Sequence, residues 1–351
     1  MATLYAAMRG ALVVVRGVDG GSGSDAVDRR LADHDLECVA VHPDAPDVVL
    51  VGTFDGGLYR SDDGGEAFVR VGEGVFDSGH VMSLAVNPHD PGEWWAGTEP
   101  SAVYRSTDAG RTWERRPGLT DLPSSSGWSF PPRPETHHVR WIEVDPADPA
   151  RLYVGIEAGA LVRTADRGAT WTDRVPTSRR DNHSLATHPD APGRAWSAAG
   201  DGYAETDDGG ETWEYPQAGL DHRYCWSVAV DPGDPGTVLV SAASGAYRAH
   251  RANSAESYVY RKRADPNPNG TGGGGTGPDA GRWERLDDRG LPTGEGVTRA
   301  VIAGGLAAGE FYAATNEGLY RTRDAGDAWT RLDVPWDEFA SSTARGLAVV
   351  P

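Results

Sequence analysis

A pattern of about fifty residues recurs along this chain, and repetition at such a period restricts the fold to stacked or ring-like arrays of one small unit. Each unit opens with a short apolar run that ends in a proline turn. A second apolar run, a glycine turn and an aromatic–arginine pair follow, and then a block of the form S/T-x-D-x-G-x-T-W. One clear copy runs Met82-Ser83-Leu84-Ala85-Val86-Asn87-Pro88, Glu93-Trp94-Trp95-Ala96-Gly97-Thr98, Val103-Tyr104-Arg105 and Ser106-Thr107-Asp108-Ala109-Gly110-Arg111-Thr112-Trp113. The last block returns at 61–68, 164–171, 206–213 and 322–329, centred on Asp63, Asp166, Asp208 and Asp324.

The block has the chemistry of a β-hairpin turn. The Asp carboxylate accepts backbone amides of its own turn, and glycine supplies a positive φ. The tryptophan packs beneath the hairpin against the next unit. These residues resemble the Asp-box, or BNR, repeat of β-propellers, a group that includes sialidases, xyloglucan-type glucanases and sortilin-like receptors. The resemblance implies that the five aspartates are structural and that ligands use the opposite face.

A blade of four antiparallel strands is then the unit. Seven apolar runs read as first strands: 36–41, 81–86, 139–144, 183–187, 225–230, 297–303 and 344–349. The last stops at Pro351, and the apolar segments 4–7 and 11–15, with a third strand near 28–31, supply its missing partners. The expected fold is all-β: a seven-bladed propeller spanning 1–351, its closing blade made from 1–31 and 343–351. Closure of this kind removes two free sheet edges. A glycine-rich segment at 263–281 replaces the Asp block of the fifth unit and is expected to be a flexible insert.

Composition narrows the partners. There are 52 acidic residues against 33 basic ones, a net charge of −19. Such a chain is a poor ligand for nucleic acid, whose affinity comes from phosphate neutralisation. Lys262 is the sole lysine, and with the abundant acids this reads as a protein of a salt-rich, halophilic host. Cys38 and Cys225 are too few for a disulfide framework. No apolar run reaches the roughly 20 residues of a membrane helix, and the first residues lack a signal-peptide pattern. A cytoplasmic monomer or small homo-oligomer is expected.

The candidate chemistry lies where the repeat breaks. Six residues before the turn proline stand Glu37, Met82, Arg140, His183, Trp226 and Arg345. With Arg223, Tyr224, Trp128 and Arg299 on the same face, the arginines and aromatics suggest a site for a small polar ligand or a protein partner. Most histidines map there too. His138, His183, His222 and His250, with Glu157, form a candidate set for a divalent metal. The alternative is a glycoside hydrolase using paired carboxylates, with Glu157, Asp55 and Asp201 as catalytic candidates. A sialidase would carry an F/Y-R-I-P motif, which is absent. In the loop at 117–136, Trp128 is either a stacking surface or a latch against neighbouring blades.

Overall fold

The computed structural model describes residues 2–18, 26–264 and 281–351. Seven antiparallel sheets succeed one another along it. Their inner strands are Leu36–His42, His80–Asn87, Val139–Val144, Asn182–Thr187, Tyr224–Asp231, Val301–Gly304 and Ala344–Val350. Each inner strand packs on the next, and the seventh packs on the first, so the ring is closed. Blades face neighbours on both sides, which is why strands such as Ala11–Arg16 are apolar throughout rather than alternating. Ala246–His250 is the one α-helix among the described residues.

The seventh blade joins both ends of the chain. Ala344–Val350 pairs with Thr3–Met8, which pairs with Ala11–Arg16, which pairs with Ala26–Arg30. The third and fourth blades have three-stranded ladders. Isolated bridges from Arg163 to Thr172 and from Glu205 to Glu214 mark their outer edges. The insert expected at 263–281 lies, from 265 to 280, outside the described residues.

The five Asp blocks form the expected turns. Asp108 Oδ1 accepts the amides of Arg111 and Thr112 at 3.1 and 2.8 Å, and Ser106 Oγ donates to the same oxygen at 2.8 Å. Asp63, Asp166, Asp208 and Asp324 repeat the arrangement. Gly110 turns the chain at a φ of 80°, where a Cβ is disfavoured. Trp113 packs against Leu50 of the preceding blade and Tyr104 of its own. These turns rest on the hairpins between first and second strands: the Ala109 amide donates to the Gly92 carbonyl at 2.9 Å.

Two further repeat positions tie blade to blade. The arginine of the aromatic–arginine pair reaches the Asp-block turn of the next blade. Arg60 Nε donates to the Ala109 carbonyl at 2.6 Å, Arg163 to Gly209 at 2.8 Å and Arg261 to Ala325 at 2.7 Å. The fourth blade has Glu205 there instead, and Lys262 of the fifth blade pairs with it at 2.5 Å. Histidines beside the turn prolines do the same at the inner strands. His42, His89 and His188 bond the carbonyls of Asn87, Pro146 and Pro232 at 3.0, 2.6 and 3.2 Å.

Candidate functional site

Six of the inner strands carry a bulge at the same place near their start. In the first blade Leu36 pairs with Thr53 and Cys38 with Gly52, leaving Glu37 as the extra residue. Met82, Arg140, His183 and Trp226 are skipped in the same way. In the seventh blade Arg345 is skipped between Ala344 and Gly346. A bulge re-aims its side chain away from the ladder. The residues at which the repeat breaks are therefore those that the fold frees from cross-strand pairing.

Five of these six, Glu37, Met82, Arg140, Trp226 and Arg345, line a cavity of about 590 Å³ at one mouth of the channel. Its walls come from loops that lead into inner strands, including Phe130, Arg133 and His138, and from loops between second and third strands, including Glu157 and His250. The Asp-block turns lie on the other face, against the first hairpins. Five arginines line the cavity (Arg9, Arg133, Arg140, Arg251 and Arg345) against three acids, Glu37, Glu157 and Asp181. A chain of net charge −19 thus turns a surplus of positive charge into this cavity.

Trp226 forms the centre of the floor. Arg299 lies 3.5 Å from its ring centroid and Arg140 4.9 Å, while the His183 ring is 4.5 Å away. Arg299 is fully buried and donates to the Ala344 carbonyl at 2.9 Å. Burial, with Arg345 and Arg140 nearby, holds its guanidinium well below the ordinary range. Arg140 Nε, Arg299 Nη2 and Arg345 Nε are buried without a hydrogen-bond partner among the described residues.

The acids form a second group. Glu157 Oε2 accepts His138 Nε2–H at 2.9 Å and lies 3.6 Å from Arg140 Nε. Burial alone would raise the Glu157 carboxyl, but the His138 bond and the neighbouring His138, His183 and Arg140 hold it well below the carboxylate range. His138 Nδ1 faces Glu99 at 3.4 Å, and Arg133 grips Glu99 through two bonds of 2.7 and 2.5 Å. Asp181 is pushed upward by burial, against the pull of His183. Glu157, Asp181 and His183 each offer a ligand atom within 4.8 Å of the others.

Several sequence candidates stand elsewhere. His222 is not part of the metal group: its Nδ1 bonds Tyr260 Oη at 2.5 Å and its ring stacks on Tyr258. His250 lines the cavity but has no free lone pair. Arg299 Nε–H donates to its Nδ1 at 3.2 Å, so Nε2 carries the proton shared with Tyr224 Oη at 3.0 Å. Burial and Arg299 lower the His250 pKa to about 2. Asp55 and Asp201 are exposed, accept loop amides (Asp35 N at 3.1 Å, Arg180 N at 3.2 Å) and do not line the cavity. The carboxylate beside Glu157 is Asp181, which sequence reasoning missed. Arg223 is exposed and lies outside the lining, whereas Tyr224 is within it. Trp128 is a latch: it packs among Val139 and Ile156 and donates to Ser124 Oγ at 3.1 Å. Both cysteines are free, and burial raises each thiol to about 12.

Fold and site together define a seven-bladed β-propeller with an arginine-lined cavity at one channel mouth. No protein-family model and no curated protein matches the chain. Among solved structures it is similar to an ancestral GH74 enzyme, with a TM-score of 0.63 and 16% identity over 87% of this chain and 40% of that one. The GH74 xyloglucanase from Xanthomonas campestris gives 0.60 and 19% over 85% and 45%. YCF48 bound to a D1 peptide gives 0.59 and 17% over 90% and 92%. The chain spans less than half of the two GH74 enzymes and most of YCF48. At such identities the likeness is one of fold.

Proposed function

We propose that this is a binding module of the Asp-box type, working in a salt-rich cytoplasm, whose channel-mouth cavity takes a small polyanion or the acidic segment of a protein partner. The observation that carries the reading is the surplus of arginine over acid in the lining. Buried guanidinium atoms without partners are costly, and an anionic ligand that accepts their hydrogen bonds removes that cost. A similar fold in YCF48 holds a peptide, which supports a protein segment as one kind of occupant.

Calorimetric titration of citrate into chelator-treated protein at low ionic strength tests the reading. One site is expected. Arg345→Ala should weaken it about 10- to 100-fold, the effect of losing one or two charge-assisted hydrogen bonds. Arg223→Ala, outside the lining, should leave it unchanged. Absence of binding, or equal binding by the Arg345 variant, contradicts the proposal.

A glycoside hydrolase is the second reading, favoured by the Glu157–Asp181 pair. Two neighbouring carboxyls pushed in opposite directions are the arrangement of a general acid beside an ionised partner. Release of nitrophenol from a panel of nitrophenyl glycosides, abolished by Asp181→Asn, would establish it. No release from any of them removes it.

A further inference from the structure

We propose that Glu157, Asp181 and His183 hold a first-row transition cation at the floor of the channel-mouth cavity. His183 carries the argument. Its side chain is fully buried, and its Nδ1 lies 2.7 Å from the Cys225 carbonyl. A carbonyl only accepts, so Nδ1 bears the proton, and Nε2 is left with a lone pair for a cation, either a metal ion or a second proton. That atom has no hydrogen-bond partner. It points at Asp181 Oδ1, 3.7 Å away, and Glu157 Oε1, 3.9 Å away. A lone pair facing two carboxylate oxygens is repulsive unless a cation lies between them. Both separations exceed a hydrogen bond, and both suit an ion with bonds of about 2.1 Å to each atom.

The surroundings are those of a metal ligand set. A histidine that coordinates through one nitrogen is fixed by a hydrogen bond from the other, here to a backbone carbonyl. Asp181 Oδ1 is oriented by the Ala158 amide at 2.8 Å. Glu157 divides its two oxygens: Oε2 takes His138 and faces Arg140, which leaves Oε1 for the ion. His138 is therefore a positioning residue. One imidazole and two carboxylates favour zinc or manganese over calcium or magnesium, which prefer oxygen alone. Three protein ligands leave coordination positions open, and Glu157 and Asp181 line the cavity, so those positions face the bound ligand's space.

The test uses the full chain, purified without an affinity tag, stripped with a chelator and incubated with zinc or manganese alone. After gel filtration, elemental analysis should find about one equivalent of metal in the wild type and under about a tenth in Asp181→Asn and His183→Ala. Asp181→Asn keeps the side-chain shape, so it decides the matter even where the histidine variant fails to fold. His138→Gln should still fill one site but about 10- to 100-fold more weakly. His222→Ala should match the wild type. Under about a tenth of an equivalent in the wild type, or full retention by Asp181→Asn, overturns the proposal. Citrate binding by metal-free protein is measured separately, so failure of the metal site and failure of the anion site are distinguishable.

Discussion

Glu143 makes a pH dependence out of ordinary packing. It lies on the inner strand of the third blade, where Oε1 accepts the Thr187 amide and hydroxyl at 3.1 and 2.8 Å and Oε2 accepts Trp141 Nε1 at 3.1 Å. Burial outweighs these bonds and raises its pKa from 4.5 to about 7. An acid raised in the folded state contributes stability fully below its unfolded value and loses it as pH rises through the folded one. Between about pH 4.5 and 7 the wild type should therefore lose melting temperature relative to Glu143→Gln. A gap between the two that stays constant from pH 5 to 8 would sink this account. Legibility at this scale follows the bulges. Glu37, Arg140, His183 and Trp226 stood out because a bulged residue has no cross-strand partner to constrain it. Asp181 escaped notice because it lies two residues ahead of the apolar run at 183–187. Counted from the bulge, His138, Asp181 and Tyr224 share one position two residues upstream, and all three line the cavity. His222 stands four upstream, which is why it misses the site.

At the scale of strands and turns, the fold depends on latches that recur in sequence. The Asp turns, the arginine reaching the next turn and the histidine reaching the next carbonyl all join neighbouring blades. Their spacing was readable because each needs one residue type at one place. The short ladders of the third and fourth blades were not readable, since an outer strand held by one bridge has little side-chain burial to leave a pattern. Closure is the strongest test of the element scale. Ala344–Val350 pairs with Thr3–Met8 over the whole strand and packs on the first and sixth inner strands. Removing the last ten residues exposes an inner edge and leaves Leu4, Ala6 and Met8 without cover. The truncated protein should aggregate or lose a cooperative transition. Melting like the full chain would contradict closure by pairing.

For the molecule as a whole, charge and architecture point the same way. A net charge of −19 repels itself when unscreened. The melting temperature should climb as KCl is raised from about 0.1 to about 2 M, because the Debye length falls to a few ångströms over that range. A flat profile would mean that the acidity is incidental to stability. The propeller itself was legible from seven repeats, whereas the ligand was not, because the repeat encodes packing and the site occupies the positions that packing leaves free. Against an acidic exterior, the arginine-lined mouth is the feature on which the proposed function rests. Crystals grown with citrate at low salt test that claim most directly. Difference density is expected in the channel-mouth cavity, in contact with Arg140 and Arg345. Citrate confined to the outer rims or to the Asp-turn face, with only water at the mouth, would contradict it.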